Sequence, residues 1–194
     1  MNTMNKIPKI LILGGGYVTI TAARGLRKAI EKKEVEVTVV SRENFHCFHG
    51  FVGEMITGRV SAGSIISPVR RIFAPATIHI ANVEQIDLEQ QRVTVSRLED
   101  GSEYELEYDH LLLALGTADH LEMYPGLKEH GHCLKTYEQC FRLKNHILSM
   151  FERASICTDP EERKRLLTFV VAGGGYAGTE IAGEMSDFVR IMTE

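Results

Sequence analysis

An α/β fold with a parallel sheet is predicted by three features of this 194-residue sequence. Short, continuous apolar runs, of the kind a doubly buried strand requires, occur at Ile10 to Leu13 and at Thr168 to Ala172. Each run leads into a Gly-Gly-Gly-Tyr turn, Gly14 to Tyr17 and Gly173 to Tyr176. Each turn is followed by apolar residues at helical spacing.

The elements follow in order. Ala22, Ala23, Leu26 and Ile30 share one face, so a helix runs from about Tyr17 to Glu31. A second strand at Val35 to Val40 completes a βαβ-type opening. The stretch ATIHIANVEQIDLEQQRVTVSRLEDGSEYELEYDHLLLALG reads as strands throughout. Asp100-Gly101 marks a hairpin between RVTVSRL and EYELEY, and HLLLALG returns to the doubly buried type. From Thr136 the period is helical, with Tyr137, Cys140, Phe141, Ile147, Leu148 and Phe151 on one face. Thr136 and Gln139 form a capping box that starts this helix. Asp159-Pro160, with Glu162 three residues after the Asp, starts another. Thr168 to Ala172 is a third buried strand, and Ile181, Met185, Phe188, Val189 and Met192 supply the helix after the second turn. The two glycine turns form a loose internal repeat.

A formal net charge of -4, with 44% hydrophobic and 25% charged residues, describes a globular chain long enough for one domain and part of another. The slight acidity argues against a phosphate-coating nucleic-acid binder, which needs a basic face. Cys47, Cys133, Cys140 and Cys157 form no CxxC pair and no metal-finger spacing, which suits a reducing compartment. The first apolar run is too short for a signal peptide or a membrane span, so a cytoplasmic location is expected.

In the first turn, Gly14, Gly16 and Thr19 stand at the three positions of G-x-G-x-x-G. The first glycine permits a tight turn, the second lets a pyrophosphate approach the backbone, and the helix N-terminus faces the phosphates. Thr19 departs from the third glycine and is expected to loosen packing slightly. An acidic residue should close the second strand and hold a ribose hydroxyl. That place holds Ser41, with Glu43 two residues on, so the ribose contact departs most from the pattern. The second turn has all three glycines, Gly173, Gly175 and Gly178. Two such turns point to two dinucleotides; the plainer alternative is one nucleotide site and one packing turn. His46, Cys47 and His49, or His130 and His132, lack further ligands at convincing spacing, so no metal site is expected.

The sequence resembles the two-dinucleotide-fold flavoproteins, and among them the type II NADH dehydrogenases, non-proton-pumping NADH:quinone oxidoreductases. SRENFHCFHGFVGEMITG is similar to the family segment D-R-x-N-x-H-x-F-x-P-L-L-x-E-V-A-x-G, and YDHLLLALG to its D-x-L-x-x-A-x-G strand. PGLKEHGHCLKTYEQCFRLKNHILSMFERA follows its linker and first long helix. LLTFVVAGGGYAGTEIAGEM is similar to its nicotinamide-binding turn with the G-x-E-x-A-G-E continuation.

The resemblance implies a two-dinucleotide-binding-domain, Rossmann-like flavoprotein fold with a parallel sheet, a β-meander and an incomplete second nucleotide domain. Residues 1–118 would be the N-terminal part of an FAD-binding domain, 119–135 a linker, and 136–194 the start of an NAD(P)H-binding domain. Gly14, Gly15, Gly16 and Thr19 would cradle the FAD pyrophosphate, with Ser41, Arg42 and Glu43 at its adenosine. His46, Phe48, His49 and Gly50 would lead towards the isoalloxazine; the family has a polar residue and proline at 49 and 50, so His49-Gly50 is a departure. Val83 would meet the adenine edge, and Ala114, Leu115 and Gly116 would pass beside the FAD. Gly173, Gly175 and Gly178 would receive NAD(P)H. Glu180 matches a family glutamate near flavin and nicotinamide and is the candidate catalytic residue; its plainer role is to stabilise the first turn of its helix.

The implied activity is hydride transfer from NAD(P)H to FAD and on to an acceptor, a quinone in this branch. Ferredoxin-type and sulfide:quinone oxidoreductase-type flavoproteins stay open, as does a nucleotide-binding module without turnover. A disulfide reductase would need a cysteine pair soon after the first helix, and none is present. The second turn has a helix but no further strands after it, so the 194 residues are expected to be a piece of a longer enzyme, inactive alone. In that longer protein a C-terminal segment could meet the cytoplasmic face of a membrane. Oligomeric state has no signature, and a homodimer is one arrangement open to it. Apolar faces at Ile181 to Met192 and Thr168 to Ala172 should be uncovered, favouring association.

Overall fold

The computed structural model describes residues 6–193. Its elements begin with β1 Lys9–Leu13, α1 Tyr17–Glu31, β2 Glu36–Ser41, β3 Phe45–Cys47 and α2 Val52–Thr57. Next come β4 Ile66–Pro68, α3 Val69–Phe73, β5 Thr77–Asp87, β6 Arg92–Arg97, β7 Glu103–Glu107 and β8 His110–Leu113. Four helices end the chain: α4 Leu127–His130, α5 Tyr137–Ile156, α6 Pro160–Leu166 and α7 Tyr176–Thr193. The chain divides into two compact units, residues 1–46 with 67–118, and residues 47–66 with 119–194.

The first unit is a six-stranded sheet in the order β7-β6-β5-β2-β1-β8. β5, β2, β1 and β8 run parallel, and β5, β6 and β7 form an antiparallel meander. The continuous apolar run of β1 follows from its place inside the sheet, because successive side chains leave on opposite faces. Leu11 and Leu13 pack with Val40, Ala81, Val93 and Val95. Ile12 packs on the other face with Ala23, Val37, Val39, Val69 and Phe73, and Ala22, Leu26 and Ile30 of α1 complete that layer. The Asp100-Gly101 turn joins β6 to β7 as expected, with Gly101 at φ +71.

The second unit is helical. Thr136 Oγ1 accepts the Gln139 N–H at 3.2 Å, and Gln139 Oε1 accepts the Thr136 N–H at 3.0 Å, so the capping box forms as read. Asp159 accepts the Glu161 N–H at 3.0 Å and starts α6 with Pro160 in its first turn. Phe151 of α5 meets Phe169 and Phe188, with ring centroids 6.1 and 5.6 Å apart. α2 packs on α5 and α7 and ends at Gly58, which has φ +82. Among the described residues, no helix is long and apolar enough to cross a membrane.

Four local expectations are corrected. Thr168 to Ala172 is not a strand, and Val170 is 86% exposed. A strand needs a hydrogen-bonding neighbour, and among the described residues of this unit none pairs with it. β8 packs Leu111 and Leu112 on opposite faces but lies at the sheet edge, with Leu113 exposed. In α5 the buried side is Cys140, Ile147 and Ala154, and Phe141 is exposed. Ile181 is buried because it lies beside Gly53 of α2, whereas Tyr176 is 92% exposed and Ile191 is also exposed.

Candidate nucleotide-binding site

The first glycine turn is held on two sides by the sheet. Gly14 N donates to Val40 O, and Ala114 N donates to Leu13 O, both at 2.8 Å. Gly14 has φ +113, and a side chain on it would run into the Ala114 carbonyl and the Leu115 amide. Glycine is therefore required twice over here, by backbone conformation and by close approach. The same contact brings Ala114 and the Leu115 amide against the turn, and Gly116 follows at φ +78.

Gly15 lies against Ser41, whose Oγ occupies the space a Cβ would need. His46 places Nδ1 3.3 Å from Gly15 O, a bond that requires the Nδ1–H tautomer. Its ring meets Tyr17 edge-on at 4.7 Å. Gly16 is the N-cap of α1, with no side-chain cap, and no acidic residue stands in the helix's first turn. Nothing lies within 4 Å of where a Gly16 side chain would be. The turn is thus closed beneath Gly14 and Gly15 and open above Gly16, at an end carrying positive partial charge. These residues fit the pyrophosphate of a dinucleotide.

Thr19 does not loosen the turn. Its side chain is fully buried, and its hydroxyl donates to Gly14 O at 2.5 Å. The second turn reaches the same form with glycine. Gly173 has φ +121, and a side chain on Gly178 would collide with the Gly173 carbonyl. Thr179 N donates to Gly175 O at 3.0 Å, as Ile20 N does to Gly16 O at 3.1 Å. Space is open around Gly173 and Gly175.

At the end of β2, Ser41 is only 4% exposed and its hydroxyl donates to Glu43 O at 2.8 Å. Arg42 and Glu43 are exposed and form an ion pair at 3.4 Å. Val83 pairs with Val95 and packs against the core that includes Leu13 and Val40; the ladder shifts register just after it.

Phe48, His49 and Gly50 belong to the second unit. The Phe48 ring lies 5.3 Å from that of Phe51 and would obstruct any side chain on Gly50. His49 Nε2 is 2.9 Å from Lys135 O. Glu180 is exposed and lies beyond the first turn of α7, which holds no acidic residue, so it does not stabilise that turn. Glu184, one helical turn on, was not singled out from sequence. It accepts from Thr57 Oγ1 at 3.0 Å and from Arg59 at 2.8 Å, tying α7 to the end of α2. Its signal was the last letter of G-x-E-x-A-G-E. Burial pushes the Cys47 thiol up, and that of Cys140 up to about 12. Among the described residues, no group of three or more His, Cys, Asp or Glu could hold a metal ion.

Residues 8–193 match the pyridine nucleotide-disulphide oxidoreductase family. The chain belongs to that family. It is similar to the mitochondrial external alternative NAD(P)H-ubiquinone oxidoreductase B3 of Arabidopsis thaliana, 31% identical over 201 residues, covering 98% of this chain and 34% of that protein. It is also similar to the type II NADH:quinone oxidoreductase Ndh of Mycobacterium tuberculosis, 31% identical over 185 residues, covering 94% of this chain and 39% of that one. The chain thus spans little more than a third of the length of these curated relatives. Among solved structures it matches NDH2 from Plasmodium falciparum in complex with NADH, with a TM-score of 0.83 at 21% identity. That match covers 95% of this chain and 38% of the other, and at this identity it shows the fold alone. The type II resemblance and the two-dinucleotide architecture expected from the motifs agree with these findings.

Proposed function

We propose that this chain carries the FAD-binding turn and the NAD(P)H-binding turn of a flavoprotein NAD(P)H oxidoreductase whose acceptor is a quinone. The observation that carries the reading is the repeated turn, at Gly14 and again at Gly173, with matching positive φ, carbonyl contact and helix start. Two anion-accepting helix ends in one chain suit two dinucleotides. The similar plant and mycobacterial proteins are named for NAD(P)H-ubiquinone and NADH:quinone oxidoreduction, which supports the choice of donor and acceptor.

In this reading residues 1–118 form the N-terminal part of the FAD-binding domain, 119–135 the linker and 136–194 the start of the NAD(P)H-binding domain. When bound, the flavin supplies hydride acceptance from the nicotinamide and the means of passing electrons to the quinone. The protein's part is positional. Gly14, Gly15, Gly16 and Thr19 hold the FAD pyrophosphate at the α1 N-terminus, and Ser41, Arg42, Glu43 and Val83 take its adenosine. Ala114, Leu115 and Gly116 line the FAD, and His46, Phe48, His49 and Gly50 approach its ring system. Gly173, Gly175 and Gly178 hold NAD(P)H, and Glu180 tunes the hydride step electrostatically. No acid–base triad is needed.

The test is a visible spectrum of the purified chain after FAD reconstitution and removal of free flavin, then anaerobic addition of NADH. The same test is run on a chain extended to the length of the similar proteins, where retained, shifted flavin that NADH bleaches is the expected result. Flavin that NADH leaves unbleached there would overturn the second-turn assignment, and no retained flavin there would overturn the first.

A further inference from the structure

We infer that Glu184 is a positioning residue: by joining α7 to the end of α2 it fixes the second glycine turn relative to the His49–Gly50 segment that approaches the flavin. This rests on the hydride transfer proposed above. Both ends of the tie lie in the second unit. α2 follows directly on His49, Gly50 and Phe51, and α7 follows directly on the turn at Gly173 to Gly175. The segment before α2 is held as well, with His49 Nε2 2.9 Å from Lys135 O.

Both oxygens of the carboxylate are engaged. Glu184 Oε2 accepts from Thr57 Oγ1 at 3.0 Å, and Oε1 accepts from Arg59 at 2.8 Å. Gly58, between those two partners, has φ +82 and turns the chain back at the end of α2. Val60 N then donates to Glu54 O at 3.1 Å and closes the turn that carries Arg59. The two helices also approach closely. A Cβ on Gly53 would stand 3.1 Å from Glu184 Cγ and 3.9 Å from Ile181 Cδ1. Ile181 and Glu184 are i,i+3 neighbours, so they share the face of α7 that meets α2.

Stability alone does not account for this tie. The Arg59 side chain is 54% exposed, and an ion pair with one partner this solvated adds little. Buried Ile181, and Phe188 against Phe151, already hold α7 by apolar contact. Two donors on two oxygens instead fix the direction of α7 and its register on α2. Tyr176 starts α7 and Glu184 follows eight residues on. That is about 12 Å along a rigid helix, so a shift at the tie moves the turn with it. The hydrogen bond and glycine contacts that shape the turn itself do not involve Glu184. Nucleotide affinity should therefore survive loss of the tie, while the geometry of hydride transfer does not.

The test uses Glu184→Ala and Arg59→Ala, singly and together, in a chain extended to the length of the similar proteins and loaded with FAD. Anaerobic stopped-flow mixing with NADH gives the saturating rate of flavin bleaching and the NADH dissociation constant separately. The expected result is a rate lowered about tenfold in Glu184→Ala and about threefold in Arg59→Ala. NADH affinity and FAD retention should stay within about twofold of the wild type. The double variant should be no slower than Glu184→Ala, because both changes remove the same tie. A rate within about twofold of the wild type in Glu184→Ala, additive losses in the double variant, or a parallel loss of NADH affinity would each overturn the inference. Should Glu184→Ala fail to fold, the exposed Arg59→Ala decides alone, and an unchanged rate there overturns it. A wild-type chain that NADH does not bleach would overturn the proposed hydride transfer and the inference together.

Discussion

Thr19 occupies the place where a third glycine would let the helix close on the turn. In the second turn Gly178 achieves that closure by lacking a side chain beside the Gly173 carbonyl. In the first, the Thr19 hydroxyl bonds the equivalent carbonyl of Gly14 and leaves no unpaired buried oxygen on either residue. Thr19→Val keeps the shape and removes the donor, so it should cost about 1–3 kcal/mol, the usual penalty for a stranded buried acceptor. Urea unfolding of the two chains measures this, and a difference under about 0.5 kcal/mol would show that water replaces the bond. The sequence marked positions 14, 16 and 19 correctly as a turn but misjudged what threonine does there. Residue type says which bonds a hydroxyl can make, and only the fold says which acceptor lies within reach.

Among the elements, α5 was legible because its start is written locally, in Thr136 and Gln139. Thr136→Ala removes the acceptor for the Gln139 N–H and should destabilise the second unit by about 1 kcal/mol. Loss of helical circular dichroism at a lower urea concentration would show it; an unchanged midpoint would mean that packing alone sets the helix start. α2 had no such signal. Its six residues are mostly buried between α5 and α7, so no polar face alternates with an apolar one. Thr168 to Ala172 shows the converse: its apolar run reads as a strand, yet strand formation depends on a partner that the run itself does not contain. Glu184 is marked in the sequence by its motif, but its partners are not, since Thr57 and Arg59 lie more than a hundred residues away in the chain.

At the scale of the whole molecule, two histidines with lowered pKa values and the cysteines Cys47, Cys133 and Cys140 with raised ones shape the dependence on pH from mildly acid to alkaline. Burial lowers the pKa of His79, aided by Arg70, and that of His146, aided by His132 and Arg153. Both histidines take up a proton more readily unfolded than folded. Their contribution to stability is thus complete above the ordinary value of 6.5 and is lost as the pH falls below it. Cys140 is displaced the other way, from 9.0 to about 12, by burial first and by Cys47 second. The unfolded thiol loses its proton first, so this contribution is complete below pH 9.0 and declines as the pH rises towards 12. A plateau of stability between about pH 6.5 and 9 is therefore expected. Urea midpoints measured from pH 5 to 10 test it, and a midpoint still rising below pH 6 would contradict the sign for the histidines.

The sequence by itself determined every feature whose cause is local: the two glycine turns, the βαβ opening, the Asp100-Gly101 hairpin and the capped start of α5. The glycines at 14 and 173 answer to the conformation of their own backbone, which holds φ at +113 and +121. Tertiary structure decided the rest. It set which apolar runs found strand partners, gave Glu184 its partners Thr57 and Arg59, and covered Ile181 with α2. Those outcomes depend on groups brought together from distant parts of the chain, and hydrogen bonds and packing act over a few ångströms of space rather than along the sequence.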